Sequence, residues 1–104
     1  MSLLRLLSIV AAAWDVRPAL LRRPCGRGRA SPGPHTRLRQ ARFAAAALAV
    51  EELGASGPAV AEVLGCTQAA VSWMRKEAPG RLRGAEDARR LAVVLARLGR
   101  SEGA

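Results

Sequence analysis

Residues 57–76 read GPAVAEVLGCTQAAVSWMRK, and this stretch decides the fold. Ser56 and Gly57 offer a cap, Pro58 suits the first helical position, and Val60, Ala61 and Leu64 recur at helical spacing. The pattern predicts a short helix that stops at Gly65. Thr67 then presents a hydroxyl oxygen to the orphan N–H groups of a second helix, predicted over residues 68 to about 78, where Pro79 and Gly80 break it. Two helices joined only by Gly65, Cys66 and Thr67 must cross steeply. The first needs a small residue where the second packs closely, and Ala61 stands there. The turn needs a residue at ease with positive φ, and Gly65 supplies it four positions later. Val60, Leu64, Cys66, Val71 and Met74 fall where apolar side chains must fill the wedge. This is the spacing of a helix-turn-helix.

Outward from the motif the helical texture continues. A helix is predicted over residues 38–53, with Phe43, Ala47 and Val50 on one face and Gly54 just past its end. On the other side a helix is predicted from about Ala85, with Glu86 and Asp87 in its first turn and Arg97 in its last, the arrangement the macrodipole favours. Ala88, Leu91, Leu95 and Leu98 form its apolar stripe, Ala92 and Val94 lie beside it, and Gly99 closes it. No alternating strand pattern competes. The expected fold class is all-α, a compact four-helix domain over residues 37–99 with a short tail at 100–104.

The first third reads differently. The 104-residue chain carries a formal net charge of +9, with 17 basic and 8 acidic residues. Residues 1–42 hold nine Arg against Asp15 alone, whereas residues 43–104 hold eight basic residues against seven acids. The excess therefore belongs to the N-terminal segment, and only Lys76 among the basic residues is Lys. The Arg and Ala bias is also what G+C-rich codons encode. Residues 1–14 are apolar, too short to span a bilayer. Residues 1–21 are read as a short apolar or amphipathic segment; a secretory signal, an organellar transit segment, a short amphipathic helix and translated sequence upstream of the true start remain open for it. Residues 22–36 (RRPCGRGRASPGPHT) mix Pro, Gly and Arg, hold no periodicity, and read as a linker that attracts polyanions without reading sequence. The N-terminal segment is accordingly expected to be mostly irregular.

The motif resembles that of the lambda-repressor and Cro-like family, whose pattern runs Ala, three residues, Gly, apolar, Ser or Thr, Gln, two small residues, Val, Ser. Here it is Ala61, Gly65, Cys66, Thr67, Gln68, Ala69, Ala70, Val71 and Ser72. The wider resemblance covers residues 36–99. It implies a lambda-repressor-like domain whose second motif helix enters the major groove of double-stranded DNA. Gln68 is then the leading base reader, because a carboxamide both donates to and accepts from adenine. Ala69, Ser72 and Trp73 are the neighbouring base-edge positions. Gly57, Thr67, Arg75, Lys76, Arg81 and Arg83 are the phosphate contacts, with Arg81 and Arg83 in the loop after the helix. Thr67 serves equally as a helix cap, Ser72 as a solvated hydroxyl, and the cations as a solvated basic face. The family often places Trp one position later, where Met74 stands, and often has Gln in place of Gly57. Trp73 is expected to be partly buried against the fourth helix.

The implied function is sequence-specific DNA binding by a small Cro-like repressor, in the cytoplasm, with a homodimer as the expected assembly. A helix-turn-helix accessory subunit or antitoxin-like interaction module is the alternative. An enzyme is not expected: His35 has no Cys or acidic partner at ligand spacing, Gly26 and Gly28 precede no helix start, and no paired acids mark a pocket. No metal or cofactor is implied. Cys25 and Cys66 are too few for a disulfide framework, and Cys66 reads as a small core residue.

Overall fold

The computed structural model describes residues 2–22 and 35–103. They form six helices and no strand: α1 (Leu3–Ala13), α2 (Pro18–Leu21), α3 (His35–Glu51), α4 (Gly57–Leu64), α5 (Gln68–Arg81) and α6 (Ala85–Gly103). The all-α expectation holds, with six helices where four were expected. Residues 23–34, most of the expected linker together with Cys25, lie outside the described residues. His35, expected in that linker, begins α3.

The N-terminal segment is a correction. Its expected irregularity gives way to two helices that belong to the core. Ser2 caps α1, its Oγ accepting from the Arg5 N–H at 3.2 Å. Leu6, Leu7, Val10 and Trp14 follow at helical spacing and are buried, as is Leu21 of α2. The chain leaves α1 through Asp15 in the left-handed region at φ 55°. There the Val16 N–H donates to Ala11 O at 2.9 Å and the Asp15 N–H to Ala12 O at 3.3 Å, so the last carbonyls are satisfied. An apolar stripe needs a surface to cover, and α3 provides it.

Helix α3 is the axis of the molecule. Ala41 and every residue from Phe43 to Ala49 are buried, so its middle is enclosed on all sides rather than on the single face its large side chains suggest, while Arg37, Arg39 and Glu51 at its ends are exposed. Ala has little bulk beyond the backbone, and α1, α2, α4 and α5 all approach α3. A helix buried all round has no solvent face to mark its orientation.

Helices α5 and α6 also depart from expectation. Helix α5 runs through Pro79 and Gly80 to Arg81. Proline at position 79 removes one hydrogen bond, to the Arg75 carbonyl, but the turn beyond it is held from outside. Gln40 Nε2 donates to Arg81 O at 2.6 Å, and the Leu82 N–H returns to Ala78 O at 2.8 Å. Helix α6 continues past Gly99 to Gly103. Its inner face is Leu91, Val94 and Leu98, with Asp87 and Arg90 half-buried, while Ala88 and Leu95 of the expected stripe are exposed. The rotation follows from α1, against which α6 chiefly packs. Trp14 Nε1 donates to Asp87 Oδ1 at 3.1 Å, and the Arg90 guanidinium donates to Ala13 O and to Glu86 at 3.0 Å. Gln40 Nε2 reaches Asp87 Oδ2 at 2.9 Å as well. One polar knot thus ties α1, α3, α5 and α6 together.

Candidate nucleic-acid interface

The α4–α5 unit is built by its caps. Ser56 Oγ accepts from the Ala59 N–H at 3.3 Å, and Pro58 sits in the first turn, where no N–H is required. Gly65 adopts φ 68°, ψ 37°. The Cys66 N–H donates to Ala61 O at 3.0 Å and the Gly65 N–H to Glu62 O at 3.3 Å, which closes α4 and turns the chain at once. Thr67 Oγ1 then accepts from the Ala70 N–H at 3.0 Å and starts α5. Between the two helices Val60, Ala61, Leu64, Val71 and Met74 are buried together, and Cys66 is half-buried against them.

Successive residues of a helix are about 100° apart, which fixes what α5 turns outward. Val71, Met74 and Ala78 face the core, so Ala69, Ser72 and Lys76 occupy the opposite arc, and all three are exposed. Gln68 and Arg75 lie along one edge of that arc and Trp73 along the other, and all three are exposed. Neither Arg75 nor Lys76 makes an ion pair among the described residues. Gln68 lies against the first residue of α4: a Cβ built on Gly57 would stand 3.2 Å from Gln68 Cγ and 3.4 Å from Nε2. The beginnings of α4 and α5 therefore meet at Gln68. The Thr67 oxygen already caps α5, leaving its O–H as the free donor.

Trp73 is 51% exposed, its ring 5.5 Å from that of Phe43 and inclined at 48°. Its partner is α3, and not the last helix as expected. The Arg81 guanidinium stands 5.8 Å from the Phe43 ring centre and 6.0 Å from that of Trp73, and meets Glu77 at 3.4 Å. Arg81 is thus in the last turn of α5, where a loop position was expected, and is held by an acid and two rings. Arg83 lies exposed between α5 and α6. Sequence reasoning missed Phe43 as the platform for Trp73, because an aromatic at core spacing carries no sign of what it touches. It also missed Gln40, which holds the far end of α5 through the Arg81 carbonyl and reaches Asp87 of α6 with its second hydrogen bond.

Among the described residues no group of three or more His, Cys, Asp or Glu is placed to hold a metal ion. No described helix is long and apolar enough to cross a membrane. No family model, curated protein or solved structure matches the chain.

Proposed function

We propose that the chain binds double-stranded DNA in a sequence-dependent way, with α5 in the major groove, and acts as a small repressor of the lambda-repressor and Cro-like kind. The observation that carries this reading is the uncovered outward arc of α5, with Gln68, Ala69 and Ser72 in its first turns and Lys76 beyond. The arc follows directly on the left-handed turn at Gly65. A recognition helix presents its N-terminal residues to base edges. Gln68 reads adenine through its carboxamide, the Ala69 methyl meets a thymine methyl, and the Ser72 hydroxyl bonds a base edge or phosphate. Arg75, Lys76 and Arg83 supply backbone contacts that set position without reading sequence. Arg81 braces Trp73 and contributes field more than contact.

The test is fluorescence anisotropy with the full chain, because α1 is part of the core. The duplex is taken from upstream of the chain's own coding sequence, with scrambled duplex as competitor, at two salt concentrations. The reading expects a preference that survives salt, since specific sites exceed non-specific ones by about 4 kcal/mol or more. Salt alone weakens both. Equal, salt-sensitive binding to both duplexes overturns it in favour of a polyanion-attracting helical domain, and no binding favours a protein-interaction module. Gln68→Ala is expected to relax discrimination, whereas Arg75→Ala weakens cognate and scrambled duplexes about equally.

A further inference from the structure

We propose that the cleft between α3, α5 and α6 is a binding site for a small amphiphilic organic cation, an apolar body carrying one positive head group. Helix α6 leans on α1 and leaves a gap against the C-terminal halves of α3 and α5. The gap measures about 330 Å³, within the range of small-molecule sites, which often lie between packed helices. It stays open because α3 and α5 meet it with Ala44, Ala47 and Ala78, buried residues that offer only methyl groups. Leu82 and Leu91 extend the apolar wall, and Leu95 stands 43% exposed at the mouth. Such a surface accepts an apolar body without choosing its head group.

The rim makes that choice. Glu51 and Glu52 line the cleft, are exposed, and make no ion pair among the described residues. They stand at the C-terminal end of α3, whose last turn holds no basic residue. A helix C-terminus already carries partial negative charge, so two carboxylates there oppose the macrodipole and bring folding no gain. A cation seated at the mouth answers the carboxylates and the helix end together. The net charge of +9 does not cancel this preference. At physiological ionic strength, exposed charges more than about 8 Å away are largely screened, so the field at the mouth is set locally. An alkylammonium meets both demands, with its chain among the alanine methyls and its head beside Glu51 and Glu52. A fatty anion is turned away at the same rim. The site stands independently of DNA binding.

The experiment titrates the full chain with hexyl-, octyl- and decyltrimethylammonium below micelle formation, following the methyl resonances of Ala44, Ala47, Ala78 and Leu82 by NMR. Carboxylates of the same chain lengths are the controls, and a chain of net charge +9 draws these anions non-specifically. The cations are expected to shift the cleft methyls saturably and to bind there more tightly than the carboxylates. Affinity is expected to rise about threefold to fourfold per added methylene until the cleft is full. Glu51→Gln combined with Glu52→Gln is expected to lower cation affinity about fivefold, as the loss of two exposed ion pairs would. The thermal melt of that variant is kept or slightly raised, since two charges opposing the macrodipole are gone. Leu95→Arg places a tethered cation at the rim and lowers the affinity as well, with an unchanged melt. Carboxylates that bind the cleft as tightly as the cations, or cation binding indifferent to both variants, overturns the proposal. So does a titration in which the cleft methyls do not move. Binding of DNA, tested separately, alters none of these results.

Discussion

Gly57 and Gln68 lie at the starts of two different helices, yet they share one contact, and the missing side chain of the first sets the position of the second. The φ of Gly57 is not in the left-handed region, so its backbone accepts alanine. The added Cβ would stand 3.2 Å from Gln68 Cγ, and the flexible Gln68 side chain must give way. Gly57→Ala is therefore expected to keep or slightly raise the melting temperature, since Ala is the better helix former. At the same time it shifts the Gln68 side-chain amide resonances and lowers discrimination between cognate and scrambled duplex. Gly65 is the opposite case: at φ 68° an added Cβ meets its own backbone. Gly65→Ala is expected to cost about 1–2 kcal/mol. In a domain of this size that is a fall of about 4 °C or more, read by thermal denaturation. Gly65 was legible because its spacing from Ala61 and Thr67 left little else for it to do. Asp15, also at positive φ, gave no signal, because an aspartate after an apolar run marks many kinds of turn. The hydrogen bond from Trp14 to Asp87 was illegible for a different reason, since nothing local links the two ends of a chain.

At the scale of elements, the boundaries set by caps between α4 and α5 were readable, whereas the inner face of α6 and the end of α5 were not. Ser56, Gly65 and Thr67 placed the boundaries of α4 and the start of α5, because each boundary is a local hydrogen-bonding solution. The inner face of α6 was misjudged because the run from Leu91 to Leu98 is apolar on several sides, and two stripes fit the same period. The choice between them is made by α1, a tertiary partner that periodicity does not see. The end of α5 was misjudged for a related reason. Pro79 does weaken the helix, yet Gln40 holds the Arg81 carbonyl, and the Arg81 guanidinium lies over the Phe43 and Trp73 rings. Gln40→Ala removes that clamp and one donor from the Asp87 carboxylate, while Asp87 keeps Trp14. The expected loss is about 1–2 kcal/mol in urea unfolding. Faster amide exchange is expected at Leu82, whose N–H closes the last turn. An unchanged exchange rate there would mean that the last turn holds itself and that Gln40 is incidental.

For the whole molecule the question is whether residues 2–22 are an appendage or part of the fold. Composition argued for an appendage, since the charge excess and the linker both lie in the first third. Burial argues the reverse. Leu6, Leu7, Val10, Trp14 and Leu21 are at most 3% exposed. Burying a large apolar side chain contributes about 1.5–3 kcal/mol. Five such residues together contribute about 7.5–15 kcal/mol before the entropy of ordering the segment, which is comparable with the roughly 5–15 kcal/mol that holds a domain folded. Removal also uncovers the alanines of α3 and the inner face of α6, strips Asp87 of Trp14, and leaves the Arg42 guanidinium without the Leu20 carbonyl at 3.0 Å. A chain beginning at residue 23 is thus expected to keep helical circular dichroism without a cooperative thermal transition, and to expose apolar surface to a dye such as ANS. Trp14→Ala, a milder form of the same lesion, is expected to cost about 3–5 kcal/mol while the far-ultraviolet spectrum of the native state is kept. If the shortened chain melted cooperatively near the temperature of the full one, α1 and α2 would be a cover on a complete four-helix body, and the DNA-binding tests would be open to that smaller unit. If it fails to melt as a unit, the first third is structure, and the position of α6, with the cleft beside it, depends on α1.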